Sequence, residues 1–164
     1  MSRDINDEYD LEVERVSRMI TGNNYFDFDF NPKGSGIQHI YEHFSGDVVE
    51  DKATGLMWQR GGSEHMLNFA KTTDYLKELN QKKFAGFSDW RLPTLNEAMT
   101  LMEPQRNKAG LYIDLIFDQK PFCIWTNDNF KFDEQLWKWF VNFVIGGCFD
   151  LIITSSCCVR VVRS

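Results

Sequence analysis

One short segment in the middle of the chain constrains the local fold most tightly. Pro93 disfavours helical backbone at the residue before it, so the chain should enter this segment extended. Thr94 is a good N-cap, and Glu97, three residues later, can reach back to the backbone of the cap. Pro104 limits any continuation. The sequence therefore predicts extended chain that turns directly into a short helix over residues 95–102.

The remaining periodicities predict an α+β fold. Apolar residues at helical spacing predict helices over residues 4–20 and 64–80. A polar loop that ends at Gly55 predicts a β-hairpin. Alternating residues near the end of the chain predict an antiparallel meander, with strands at 137–144, 148–154 and 157–163 and a further strand at 122–126.

The N-terminal third differs from the rest in charge. Residues 1–50 hold 11 acids and 4 bases, and residues 51–164 hold 13 acids and 14 bases. Within the acidic part, the strict alternation over Phe26–Phe30 predicts an edge strand whose Asp27 and Asp29 face water. We therefore expect an acidic extension of helix and edge strand over residues 1–36, followed by a domain over 37–164.

Charge and hydropathy exclude several classes of function. The net charge of −6 gives no basic surface for nucleic acid. The longest strongly apolar uncharged stretch, residues 139–149, is much shorter than the roughly 20 residues that span a bilayer. The first residues carry no apolar signal segment. We expect no nucleic-acid or membrane partner, and either a cytoplasmic chain or a fragment of an exported protein.

Four cysteines lie in the last third, at Cys123, Cys148, Cys157 and Cys158. They form no C-x-x-C pair and have no histidine at zinc-finger spacing, which argues against a zinc finger. Buried reduced thiols are the favoured interpretation, and a disulfide between Cys123 and Cys148 stays open. If residues 157–163 form a strand, the two adjacent cysteines point to opposite faces, so at most one of them lies in the core.

Four motifs occur together in a recognisable order. They are Val49-x-Asp51-x-x-Thr54-Gly55-Leu56-Met57-Trp58-Gln59, Asp89-Trp90-Arg91-Leu92-Pro93-Thr94-x-x-Glu97, Trp125-Thr126 and Val159-Arg160-Val161-Val162-Arg163. Over about residues 40–163 the chain resembles the Lcl C-terminal domain family, a bacterial domain of unknown function. The resemblance implies a C-type-lectin-like fold, with two helices flanking a small twisted antiparallel sheet, and a recognition or adhesion role without established catalytic residues.

Most signature residues have a structural interpretation. Trp58, Trp90 and Trp125 are each worth a few kcal/mol of burial, at roughly 25 cal/mol per Å², and are predicted core residues. Asp89 and Arg91 lie on the same side of an extended segment, so they can pair with each other or with turn backbone. Ligand binding by Arg91 stays open beside this role.

The pattern His39-x-x-Glu42-His43 matches that of inverted zinc peptidases, in which two histidines on a helix bind zinc and the glutamate acts as base. Flanking glycines leave barely two turns for such a helix. The family resemblance instead implies a strand here, where side chains four residues apart are about 13 Å apart. A zinc-dependent hydrolase is therefore kept only as an alternative.

A second alternative is calcium-dependent glycan binding. Glu103-Pro104-Gln105 and Trp125-Thr126-Asn127-Asp128 are similar to the two loops in which calcium-dependent lectins of this fold combine carboxylate and amide oxygens. Thr126 interrupts the second motif, and Asn127 and Asp128 are equally typical of a turn after a strand.

The sequence analysis thus predicts a non-enzymatic recognition module for a protein or glycan ligand. The loops expected to present the site are residues 103–121 and 127–136. The candidate ligand-binding residues are Arg91, Glu103, Asn127 and Asp128. No catalytic residue, metal ligand or cofactor is expected, and homo-oligomerisation through residues 4–20 stays open.

Overall fold

The computed structural model describes the backbone of residues 5–132 and 134–164, and the side chains of residues 12–130 and 134–164. The helices in this part are α1 (Ile5–Gly22), α2 (Phe69–Gln81) and α3 (Leu95–Thr100), with a 3-10 turn at Phe84–Gly86. The strands are β1 (Tyr41–Ser45), β2 (Val48–Asp51), β3 (Leu56–Gln59), β4 (Cys123–Phe132), β5 (Gln135–Asn142), β6 (Gly147–Ile152) and β7 (Val162–Arg163).

The strands form two antiparallel sheets. One has the order β1-β2-β3-β7 and the other the order β4-β5-β6. Helices and antiparallel sheets together confirm the predicted α+β class, and nothing in the arrangement conflicts with the C-type-lectin-like architecture that the family resemblance implies. No helix of the described residues combines the length and apolar character that crossing a membrane requires.

Local signals placed the helices and the first hairpin well. β2 and β3 pair around a turn in which Gly55 has a φ of 74°, the left-handed conformation that favours glycine. The capping box of α3 is present, since Thr94 accepts from Glu97 N and the Glu97 carboxylate accepts from Thr94 N. α2 begins at Phe69 rather than at residue 64, because the Asn68 side chain caps it by accepting from Lys71 N.

The predicted third strand of the meander, residues 157–163, is wrong. This segment leaves β6 and runs between the sheets: Cys157 pairs with Leu67, Cys158 with Ile124, and Val162 with Trp58 of β3. Because the segment has neighbours on both sides, Cys157 and Cys158 are both buried, and the expectation of at most one core cysteine is wrong as well.

The predicted loop at residues 127–136 is instead a β-hairpin. β4 continues past a bulge between Trp125 and Asn129, and Phe130 then pairs with Trp137. Phe130 is fully buried, so apolar packing in the hairpin overrides the turn preference of the residues before it.

The predicted edge strand at Phe26–Phe30 is also wrong, because the chain turns there. Asp27 is buried, and its Oδ1 accepts from the backbone N–H groups of Asp29 (3.0 Å) and Phe30 (2.9 Å). Its Oδ2 accepts from Cys148 N at 3.0 Å. A carboxylate that binds nearby backbone competes with strand pairing, so the alternating pattern closes into a turn.

Two apolar clusters hold the fold together. Trp58 lies in the first, and Trp90 and Trp125 lie in the second, which confirms the predicted core role of these tryptophans. Val16 and Ile20 of α1 pack in the first cluster. The side chains of the earlier half of α1 lie outside the described residues, so oligomerisation through residues 4–20 stays a prediction, as does a domain boundary near residue 36.

Candidate functional site

A groove beside α2 brings two of the four predicted ligand-binding residues together. Its volume is about 410 Å³. We call it the α2 groove, lined by Phe69, Thr73, Leu76, Trp90, Arg91, Leu92, Thr94 and Asn127. One wall is α2, another is the extended segment that leads into α3, and the third is the bulge of β4. An apolar surface with a few polar groups is typical of ligand pockets.

Trp90 fixes the extended segment against α2. The Asn80 side chain accepts from Trp90 N (2.8 Å) and donates to Trp90 O (2.9 Å), which imitates a strand pairing. The indole Nε1 of Trp90 donates to Phe84 O at 2.9 Å. With its only polar side-chain atom bonded, Trp90 serves as a buried, immobile base of the groove.

Arg91 forms the charged rim of the groove through a bidentate pair with Glu97, at 2.7 and 2.8 Å. Of the two alternatives for Arg91, pairing with Asp89 is not found, because Asp89 binds Arg163, whereas a contact with nearby backbone is present at Leu92 O. The hydrogen bond with Glu97 raises the pKa of Arg91. Burial alone would raise the pKa of Glu97, but hydrogen bonds from Arg91 and Thr94 hold that pKa below its ordinary value.

The guanidinium retains hydrogen-bonding capacity after this pairing. Of its five N–H bonds, two point to Glu97 and one to Leu92 O at 3.3 Å among the described residues. The Arg91 side chain is 43% exposed. Two N–H groups therefore have no protein acceptor among the described residues.

Asn127 lies at the bulge of β4, where backbone hydrogen bonds hold it in place. Its N–H donates to Pro93 O at 2.8 Å, and its carbonyl accepts from Lys138 Nζ at 3.0 Å. The residue is exposed and belongs to the lining of the groove. A rigid backbone with a solvent-facing amide is a suitable hydrogen-bonding group for recognition.

Sequence reasoning missed two buried cations. Lys138 is only 6% exposed, and its Nζ lies 4.4 Å from the centre of the Phe69 ring, behind the groove. Burial lowers the pKa of Lys138. Arg160 is fully buried over the ring of Phe117, and burial lowers its pKa to about 10. In the sequence, Lys138 stands between two tryptophans and Arg160 between two valines. A cation flanked by apolar residues was therefore the signal that could have identified both.

Asp128 has a structural position. Its Oδ2 accepts from Leu95 N, the first residue of α3, at 2.6 Å. This bond satisfies one of the free N–H groups at the helix start and ties α3 to the bulge of β4. Asp128 thus helps to shape the neighbourhood of the α2 groove without lining it.

Glu103 lies in a different depression, of about 370 Å³, which shares no lining residue with the α2 groove. Asp114 and Asn107 line it too. Burial raises the pKa of Glu103, and the charge of Asp114 adds to this while His39 opposes it. Asp128 lines a third depression, of about 180 Å³, which shares no residue with that of Glu103. The two lectin-like motifs therefore do not assemble into one calcium site.

The zinc-peptidase pattern does not assemble either. His39 is buried, and its ring nitrogens lie 2.7 Å from Asp51 Oδ2 and 2.6 Å from Thr100 O. Glu42 and His43 belong to β1, a strand, and are exposed. Among the described residues, no group of three or more histidine, cysteine or carboxylate side chains is arranged to hold a metal ion.

The model of the Lcl C-terminal domain family matches residues 47–163, which confirms the resemblance seen in the motifs. The matched span includes every residue that lines the α2 groove, whereas α1 and the turn at Asp27 lie before it. No curated protein and no solved structure matches the chain.

Proposed function

Because the chain belongs to the Lcl C-terminal domain family, we propose that it is a non-enzymatic recognition module that binds a protein or glycan ligand in the α2 groove. The observation that carries the proposal is the combination, in one depression, of an apolar base with the free donors of Arg91 and the exposed amide of Asn127. Rigid elements hold each of these groups, which lowers the cost of ordering them on binding.

The ligand chemistry follows from these groups. Phe69 and Leu76 offer apolar contact area to a sugar face or a peptide side chain. Arg91 donates to a carboxylate, carbonyl or hydroxyl oxygen, and Asn127 both donates and accepts. Glu97, the carboxylate next to the groove, is held by Arg91 and Thr94, so the groove is suited to binding rather than to proton transfer.

The test uses one variant that fills the groove and one that does not. Thr73→Arg places a long side chain in the groove from an exposed position of α2, and Gln81→Arg adds the same charge to an exposed position of that helix outside the groove. Labelled wild type and both variants are applied to glycan and peptide arrays, with and without EDTA.

We expect the ligands retained by the wild type to be retained by the Gln81→Arg variant and lost by the Thr73→Arg variant, with no effect of EDTA. Equal retention by both variants would place the binding surface elsewhere. Loss of retention with EDTA would instead favour the calcium-dependent alternative.

A further inference from the structure

Two of the four cysteines, Cys123 and Cys157, belong to the second core cluster, and Cys158 lies next to them. The sulfurs of Cys123 on β4 and Cys157 on the C-terminal segment lie 2.8 Å apart, and both residues are buried. The thiol of Cys158 also interacts with that of Cys123. Cys148 lies apart from them, next to the Asp27 carboxylate. The disulfide between Cys123 and Cys148 that the sequence analysis left open is therefore not supported.

Backbone hydrogen bonds fix the two segments that carry this sulfur pair. Trp125 N donates to Cys158 O at 3.0 Å, and Cys157 exchanges backbone bonds of 2.8 and 3.1 Å with Leu67. A disulfide bond measures about 2.05 Å. The sulfurs therefore need to approach by only about 0.8 Å from their 2.8 Å separation, within the reach of small side-chain rotations.

We propose that Cys123 and Cys157 form a disulfide when the chain folds in the presence of a disulfide oxidant, and that this bond fastens the C-terminal segment to β4. The Cys123 thiolate attacks one sulfur of the oxidant, giving a mixed disulfide and releasing one thiol. The Cys157 thiolate then attacks the Cys123 sulfur and releases the second thiol. Two electrons pass to the oxidant, and the two protons lost by the cysteines end on its thiols.

The environment of the pair decides when the bond forms. Contact with Cys157 is the chief reason that the pKa of Cys123 rises to about 12, so the folded thiol is scarcely ionised at neutral pH. Both residues are also buried, which hinders contact with an oxidant. The bond therefore forms while the C-terminal segment is still undocked, and the folded reduced protein resists oxidation.

The experiment refolds reduced, denatured protein with a mixture of oxidised and reduced glutathione, alkylates the free thiols and maps the peptides by mass spectrometry. Before alkylation, we expect the intact mass to lie two hydrogen atoms below that of the reduced protein, and fragmentation of the mapped peptide between residues 157 and 158 should assign the link to Cys157. The Cys148→Ser and Cys158→Ser variants should keep this link, and folded reduced wild type should oxidise many-fold more slowly than the refolding chain.

Wild-type mapping needs no variant to fold, so each result decides the proposal. A link from Cys123 to Cys148 or Cys158, or four alkylated thiols after refolding, would overturn it. A second readout is the urea midpoint, which should be higher for the oxidised than for the reduced protein because the bond restricts the unfolded chain.

Discussion

Two hydrogen-bonded side-chain pairs, His39 with Asp51 and Arg91 with Glu97, connect loops to the core, and they differ in how far water reaches them. The His39 and Asp51 side chains are 5% and 0% exposed, whereas those of Arg91 and Glu97 are 43% and 18% exposed. Both pairs have short contacts between donor and acceptor. Similar geometry therefore occurs in two settings: the buried pair is closed to water, whereas the rim pair leaves part of Arg91 exposed at the groove where we propose that a ligand binds.

The buried pair works as a junction between three segments. His39 faces acceptors with both ring nitrogens, Asp51 on one side and Thr100 O at the end of α3 on the other, and it stacks on Tyr41 at 4.4 Å. Asp51 also accepts from Thr54 Oγ1 at 2.8 Å, which holds the β2–β3 turn.

The largest expected effect comes from breaking the buried pair. The Asp51→Ala variant should lose about 3–5 kcal/mol of unfolding free energy, because it leaves His39 and the nearby N–H groups buried without their acceptor. Urea unfolding followed by tryptophan fluorescence measures the loss. If the variant does not fold, Asp51→Asn gives the same comparison with the shape retained. A loss smaller than that of the rim variant below would contradict the ranking.

The loss of stability at acidic pH is a second property in which the two pairs should differ. Burial would raise the pKa of Asp51, but hydrogen bonds from His39, Thr54 and the backbone lower it below its ordinary value. Its stabilisation is therefore complete above the unfolded pKa of about 3.9 and is lost as pH falls through the lower folded value.

Urea midpoints measured between neutral pH and pH 3 test this sign. The midpoint should fall less steeply with acid in Asp51→Asn than in the wild type. Glu97→Gln should flatten the curve less, because the pair to which Glu97 belongs is partly solvated. If the urea midpoint falls equally steeply with pH in the wild type and in Asp51→Asn, Asp51 is not the group that causes the loss of stability in acid.

Breaking the rim pair should cost less. The Glu97→Ala variant should lose about 1–2 kcal/mol, the sum of a capping-box contribution and a solvent-screened ion pair. The same urea experiment measures it. In a binding assay, this variant should also weaken ligand retention, because Arg91 is no longer held at the groove. If the variant retains the ligand as well as the wild type does, Arg91 does not take part in binding.

The smallest expected effect is that of an ordinary exposed pair. Lys82 contacts Glu78 one helical turn earlier in α2, with side chains 70% and 62% exposed. The Lys82→Ala variant should change the unfolding free energy by at most about 0.5 kcal/mol. A loss as large as that of Glu97→Ala would mean that the exposure of a pair does not determine how much it contributes to the unfolding free energy.

Features set by neighbouring residues could be predicted from the sequence. The Thr94–Glu97 capping box, the turn at Gly55 and the burial of the tryptophans all follow from short spacings or from residue type. Of the predicted site, Arg91 and Asn127 meet in the α2 groove, whereas Glu103 and Asp128 do not line it. The spacing of these four residues in the sequence does not predict which of them lie on the same surface.

The predictions that were wrong share a different cause: each depends on a contact with a residue distant in the sequence. Asp27 turns inward to bind Cys148 N, and Lys138 is buried because β4 and α2 cover it. The segment at 157–163 joins β3 because its position between the two sheets buries its valines on both faces, while the edge of the meander would bury only one. Alternation in the sequence identifies an extended chain but not its neighbours.

By itself, the sequence determined the family, the α+β class and the tryptophan-rich core, since these follow from motif order, local hydrogen bonding and apolar content. The contact of His39 with Asp51, the contact of Cys123 with Cys157 and the groove beside α2 depend on the tertiary structure. Burial and long-range contacts set the chemistry of a side chain, and these exist only once the chain has folded.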